Sequence, residues 1–177
     1  MKISEGSKTM SLNKIMGIMI DYYKDVRYIE HALKVYSYSA GIGGSENLND
    51  DEMLMLLSAA LLHDIGIPNA IKIHGSGKGP YQEKEGALLV PGMLKEAGVE
   101  NPAAVERIKW LVGHHHTEEL AETDKLLQIL MEADYLVNIA EGRHPEYDPY
   151  EIRERFFKTT AGKEYITNIF NLENKNL

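Results

Sequence analysis

Histidines and carboxylates that interrupt apolar runs are the residues of this chain most able to do chemistry. Residues 56–70 read LLSAALLHDIGIPNA, an apolar run that ends on His63 and Asp64 just before a glycine. At helical spacing Leu57, Ala60 and Leu61 share a side with Asp64, which sets the carboxylate at the edge of a core. It also falls at a helix C-terminus, where the macrodipole disfavours negative charge. A bound cation relieves both penalties. The plainer alternative is a solvated or hydrogen-bonded Asp64 beside a satisfied core His63.

The same anomaly recurs in other segments. His31 lies three and four residues from members of a face made by Tyr28, Val35 and Tyr38. In LLQILMEADYLVNIA the stripe Leu127, Leu130, Met131 and Val137 includes Asp134, whereas Glu132 falls on a different side and is expected in solvent. An unpaired carboxylate on such a stripe would be expensive to bury. In WLVGHHHTEE, the residues Ile108, Leu111, Val112 and His115 share one face, so His115 is expected to point inward. His116 follows Val112 by one turn, and His114 is the weakest candidate of the three. Histidines near a helix C-terminus also cap carbonyls, which is the competing reading of this run. Two histidines and two acids on apolar faces suggest that three helices supply one metal site. The chain has no Cys, so an ion here must be held by imidazoles and carboxylates. That donor set suits Mn, Fe, Co, Ni or Zn, with Mg also in the set.

The elements that must position these residues read as nearly all helix, because apolar residues recur at three- and four-residue spacing and alternating runs are scarce. A first helix is expected over about 9 to 22 and a second over about 24 to 40, ended by GIGGS. A third begins at Asn49 or Asp50 with acids in its first turn and ends before Gly66. Residues 66–81, with four Gly and two Pro, read as a loop or lid. QEKEGALLVPGMLKEAG reads as a helix kinked or broken near Pro91. Asn101 and Pro102 open another helix, as do Asp148 and Pro149. Residues 123–140 form a further strong helix, one or two more span about 148–172, and the tail NLENKNL is expected to fray.

Bulk properties fit this picture. At 177 residues and 44% hydrophobic, the chain is expected to form a single all-α helical-bundle domain over 1–177. No apolar stretch reaches the length of a membrane span and the N-terminus lacks a signal-peptide core, so no membrane association and a cytoplasmic location are expected. A net charge of −8 argues against binding duplex nucleic acid. Positive charge is instead local. Between Ile65 and Gln82 there is no acid, yet Lys72, His74 and Lys78 occur there, with Lys84 just beyond. This stretch could receive a phosphate, and the glycines around Lys78 would let backbone approach it. The competing reading is a mobile loop whose lysines only solubilise it. Tyr81 could stack on a base or simply pack.

In this order and helical setting, His31, the HD doublet at 63–64, the His pair at 115–116 and the EAD ending in Asp134 resemble the HD superfamily of metal-dependent phosphohydrolases, over about residues 24–140. The resemblance implies an all-helical fold in which His31, His63, Asp64 and Asp134 bind a divalent ion. It also makes His115 and His116 the matching pair for a second ion. Arg27, one turn before His31, resembles an Arg commonly found there in that family, and its face would let it approach a phosphate. The pattern departs at Gln82 in QEKEGA, where several branches carry a His, so a second ion depends on Glu83 or Glu85. The segment after HDIG lacks the Lys, and HHHTEEL lacks the GYP motif, of the cyclic-di-GMP phosphodiesterase branch, which excludes that substrate.

The implied activity is hydrolysis of a phosphate ester, with a nucleotide or dinucleotide as the expected small phosphorylated substrate. An ion with an open position lowers the pKa of its water and polarises a phosphoryl oxygen. Asp64 could ligate and also orient or deprotonate that water. His115 or His116 could help hold a second ion, steady developing charge or protonate the leaving oxygen. The alternatives are a non-catalytic protein that binds metal and nucleotide, a purely structural ion, and a non-phosphate hydrolase or metal oxygenase. The sequence leaves homo-oligomerisation open.

Overall fold

The computed structural model describes residues 5–173, with side chains from residue 11 onward. In chain order its helices are α1 (Glu5–Tyr23), α2 (Val26–Ser45), α3 (Asp50–Leu62), α4 (Ile67–His74), α5 (Gly79–Glu96), α6 (Pro102–Val112), α7 (Glu118–Ala121), α8 (Lys125–Ala140), α9 (Pro149–Phe156) and α10 (Thr160–Phe170). No strand occurs among the described residues, and the architecture is all-α. Among them, too, no single helix is long and apolar enough to cross a membrane.

The apolar run ahead of His63 becomes the central helix, α3. Its start is fixed by a capping box: the Asn49 side chain accepts from the backbone N–H groups of Asp51 and Glu52, each at 3.0 Å, and Glu52 accepts from the Asn49 N–H. From Leu56 to Leu62 every residue is buried. A helix apolar all round needs neighbours all round, and α1, α2, α6 and α8 pack against it. Asp25, Asn101, Asp124, Asp148 and Thr159 cap α2, α6, α8, α9 and α10 with side-chain oxygens. Each such cap is worth about 1 kcal/mol, so polar residues at defined positions set where the functional helices begin.

Several expected boundaries move. Helix α2 runs through GIGG to Ser45 because two of those glycines serve packing. A Cβ on Gly43 would lie 3.0 Å from the Leu56 side chain, and one on Gly41 would lie 2.6 Å from the Tyr165 hydroxyl. The segment read as a loop over 66–81 contains α4. Pro68 sits in its first turn, where no N–H is needed, Ile67 and Ala70 turn into the core, and Gly75 ends it in the left-handed region at φ 70°. Helix α5 continues through Pro91 without a break. In the expected frayed tail, Asn171 closes α10 and Leu172 is buried, while residues 174–177 lie outside the described residues.

Candidate metal centre

Four side chains meet where α2, α3 and α8 pack together. His31 comes from the middle of α2, His63 caps the end of α3, Asp64 begins the turn that follows, and Asp134 projects from α8. All four are buried. His31 Nε2 lies 3.2 Å from His63 Nε2, 3.1 Å from Asp134 Oδ1 and 3.6 Å from Asp64 Oδ2. His63 Nε2 lies 3.5 Å from Asp134 Oδ1 and 3.6 Å from Asp64 Oδ2.

The other ring nitrogens are already committed. His63 Nδ1 donates to the Ala60 carbonyl at 2.9 Å, and His31 Nδ1 donates to Glu141 Oε2 at 3.0 Å. In neutral rings this leaves each Nε2 as a lone pair aimed inward. Lone pairs facing one another and two carboxylates need a proton or a cation between them. Ligands about 2.1 Å from an ion stand about 3.0 Å apart along an octahedral edge and about 3.4 Å apart along a tetrahedral one. The observed separations, from 3.1 to 3.6 Å, lie within a few tenths of an ångström of those values, so the donor set fits a divalent ion. Without an ion, a proton fills the role. Burial opposes charge on His63, but Asp64 and Asp134 outweigh it and raise its pKa to about 9. Burial would likewise raise both carboxyls, yet the charge on His63 beside Asp64, and hydrogen bonds from the His31 and His63 rings to Asp134, hold them below the ordinary carboxylate range.

Beside this group lies a second one, formed by Asp64, His115 and His116. His115 Nδ1 donates to the Val112 carbonyl at 2.7 Å, repeating at the end of α6 the arrangement of His63 at the end of α3. The capping and inward-pointing readings of these histidines therefore coincide in one ring. His114 only caps, donating to the Trp110 carbonyl and stacking on its ring. His116 reaches the surface. Desolvation of its inward edge, then the neighbouring His115, push its pKa down to about 3. The carboxamide of Gln82, buried on α5, stands between these donors.

The glycine after the HD doublet is there for α5. A Cβ on Gly66 would lie 2.0 Å from the Gln82 carbonyl oxygen and 2.4 Å from the Gly86 nitrogen. Only a residue without a side chain lets the α5 backbone pass so close.

Above the two groups opens a cavity of about 850 Å³. Asp64, Asp134, His115, His116 and Gln82 form its polar wall, with Lys78, Arg143, Tyr135 and Tyr147 around them. Of the cations expected from sequence to meet phosphate, Lys78 lines this cavity. Lys72 and Lys84 do not: they are exposed on α4 and α5, because the inward positions of those short-spaced helices are taken by Ile67, Ala70, Gln82 and Glu85. Arg27 also lies off the cavity, exposed and paired at 2.8 Å with Asp25, the cap of its own helix. Glu83 accepts from the His116 N–H and Glu85 from His74 Nε2, so neither turns toward the second group. Tyr81 is exposed and stacks on His74.

Two charged contributors that touch the donors escaped the sequence reading, as did Tyr135, His144 and Tyr147 on the cavity wall. Glu141 orients His31 and also pairs with Lys34 at 2.9 Å. Arg143 donates to Glu141 at 2.7 Å and brings Nη1 within 3.8 Å of Asp64 Oδ2. Both sit just past the end of the helix that carries Asp134, in EGR, a charged cluster directly after a strongly apolar helix. Glu132, expected in solvent, is buried. It accepts from Gln128 Nε2 at 2.9 Å, from the backbone N–H groups of Lys158 and Thr159, and from the Thr159 hydroxyl. The reason is tertiary, since α10 covers the side of α8 that the helix alone would leave open.

The profile of the HD domain family matches residues 28–139, and the chain belongs to that family. No curated protein matches significantly. Among solved structures, the fold is similar to a predicted HD superfamily hydrolase from an uncultured Thermotogales bacterium, determined at 1.45 Å, with a TM-score of 0.67 and 21% identity over 91% of this chain and 86% of that one.

Proposed function

We propose that the protein is a metal-dependent hydrolase of small phosphate esters, with nucleotides as the substrate class. The observation that carries this reading is the convergence of inward lone pairs from His31 and His63 with Asp64 and Asp134 on the wall of an open cavity. A closed structural site would have no such cavity beside it. A divalent ion held there supplies a water of lowered pKa and polarises a phosphoryl oxygen.

The chain's own residues do the rest. Asp64, held ionised, serves as ligand and orients the attacking water through its cavity-facing edge. Arg143 and Lys78 receive phosphate charge at the rim, Arg143 with a planar fork suited to two oxygens. His116, kept neutral by burial and by His115, can accept a hydrogen bond at the cavity wall but is too weak a base to hold a proton near pH 7. Tyr135, Tyr147 and the His144 ring stacked on Tyr147 at 4.6 Å offer flat faces for the organic part, which supports a nucleoside there.

The test is metal analysis of purified protein coupled to a panel of phosphomonoesters, nucleotides and dinucleotides, with Asp64→Ala as control. Metal-dependent release of phosphate or nucleoside that the control lacks supports the reading. Tight binding of a nucleotide without turnover would replace it with a binding protein.

A further inference from the structure

We propose that the Gln82 carboxamide stands in for a second cation, so that the site takes one divalent ion per chain and Gln82 positions Asp64, His115 and His116. This rests on the metal centre formed by His31, His63, Asp64 and Asp134, though not on the reaction catalysed there. The argument starts from a group of three donors capable of holding an ion, Asp64, His115 and His116. His115 Nδ1 is spent on the Val112 carbonyl, so its Nε2 presents a lone pair, and that lone pair lies 3.5 Å from Asp64 Oδ1. Two buried acceptors this close repel unless a positive group lies between them.

Gln82 Nε2 is that group. It lies 3.0 Å from Asp64 Oδ1 and 3.2 Å from His115 Nε2, so its two hydrogens serve both. His116 Nε2 also contacts the same nitrogen. Three acceptors meet two hydrogens, and His116, at the surface, is the one free to turn to water. With the amide turned over, its oxygen would face a carboxylate and a lone pair, so the donor orientation is fixed by its surroundings. An amide N–H₂ carries no lone pair for a metal, so in this orientation Gln82 blocks the position without ligating.

The block is also rigid. Gln82 is 4% exposed, and its backbone is pressed against Gly66 too closely for α5 to retreat on that side. The two oxygens of Asp64 are thereby divided. Oδ2 faces His31 and His63, while Oδ1 is held by Gln82 and cannot turn to share an ion with His115.

The experiment loads the full-length protein with excess Mn(II), removes unbound metal, and reads stoichiometry by elemental analysis and nuclearity by electron paramagnetic resonance. The wild type should hold one Mn per chain with the spectrum of an isolated ion. Gln82→His and the near-isosteric Gln82→Glu should each rise toward two per chain and show a spin-coupled pair. Circular dichroism identifies any variant that has lost its helices, in which case the wild-type count and the other variant decide. A coupled pair in the wild type, no bound ion at all, or folded variants that stay at one ion each overturn the proposal. One ion bound without turnover leaves it standing and removes the hydrolytic reading alone.

Discussion

Glu141 Oε2 lies 3.0 Å from His31 Nδ1 and turns the ring so that Nε2 faces Asp134. A carboxylate behind a metal-binding imidazole fixes its tautomer and raises its basicity, and losing such a partner weakens metal affinity about 10–100-fold. Glu141→Ala should therefore lower affinity for Mn(II) or Zn(II) by that factor in competition with a chelating dye, with Glu141→Gln falling in between. An unchanged affinity in both variants would show that the contact does not orient the ring.

Protons and metal compete at His63. Its pKa, raised from 6.5 to about 9, adds stability to the metal-free protein that is fully present below 6.5 and lost as pH rises through 9. Asp64 and Asp134, both lowered from 3.8, add stability that is present above 3.8 and lost as pH falls. In a chelator the melting temperature should be highest between 3.8 and 6.5 and decline toward pH 9. Saturating metal should abolish that alkaline decline, because a cation replaces the proton. A metal-free melting temperature that climbs from pH 6.5 to 9 would refute the assignment.

Glu132 is predicted to be structural although it lies two residues from Asp134. It receives the backbone N–H groups of Lys158 and Thr159, and a Cβ on Gly162 would fall 2.0 Å from its Oε2. Glu132→Ala leaves those buried donors unpaired, at roughly 1–3 kcal/mol each. Thermal unfolding should show that loss while metal content stays at the wild-type level. Loss of metal without loss of stability would instead make Glu132 part of the centre.

Gly66→Ala should destabilise by about 1–3 kcal/mol or more, since the added methyl overlaps the α5 backbone and cannot be absorbed by a side-chain rotation. Denaturant unfolding reads this directly. A neutral result would mean that α5 can move away at no cost.

Arg143→Ala should raise KM for a phosphorylated substrate by about 10–100-fold, the range for a charge-assisted contact worth 1.5–3 kcal/mol. Arg143→Lys should recover part of it, because a point charge keeps attraction but not the two-point fit. Equal loss of kcat with unchanged KM would place Arg143 in chemistry rather than binding.

The sequence made the four central donors readable because His31 and Asp134 interrupt apolar helix faces and His63 and Asp64 end an apolar run, where a polar side chain needs a reason to be. His31 and Asp134 stand out from their own neighbours, with no knowledge of the partner helix. Glu132 was misread for the complementary reason: its burial comes from α10, and no pattern within α8 records that. Arg143 and Glu141 were missed because charged residues after a helix are ordinary, and only the fold brings them back over Asp64. The glycines were also ambiguous in one dimension. Those in α2 look like a stop signal, yet Gly41 and Gly43 mark places where another chain segment comes too near for a Cβ.

His63 and His115 each hang from a carbonyl in the closing turn of a helix, Ala60 in α3 and Val112 in α6. The carbonyl dipole in the last turn of each helix thus acts through an imidazole ring beside the metal centre. Whatever cation settles there has its acidity tuned by main-chain amides along with the side chains that touch it. Substitutions far down either helix that bend its last turn would retune the centre without altering any ligand.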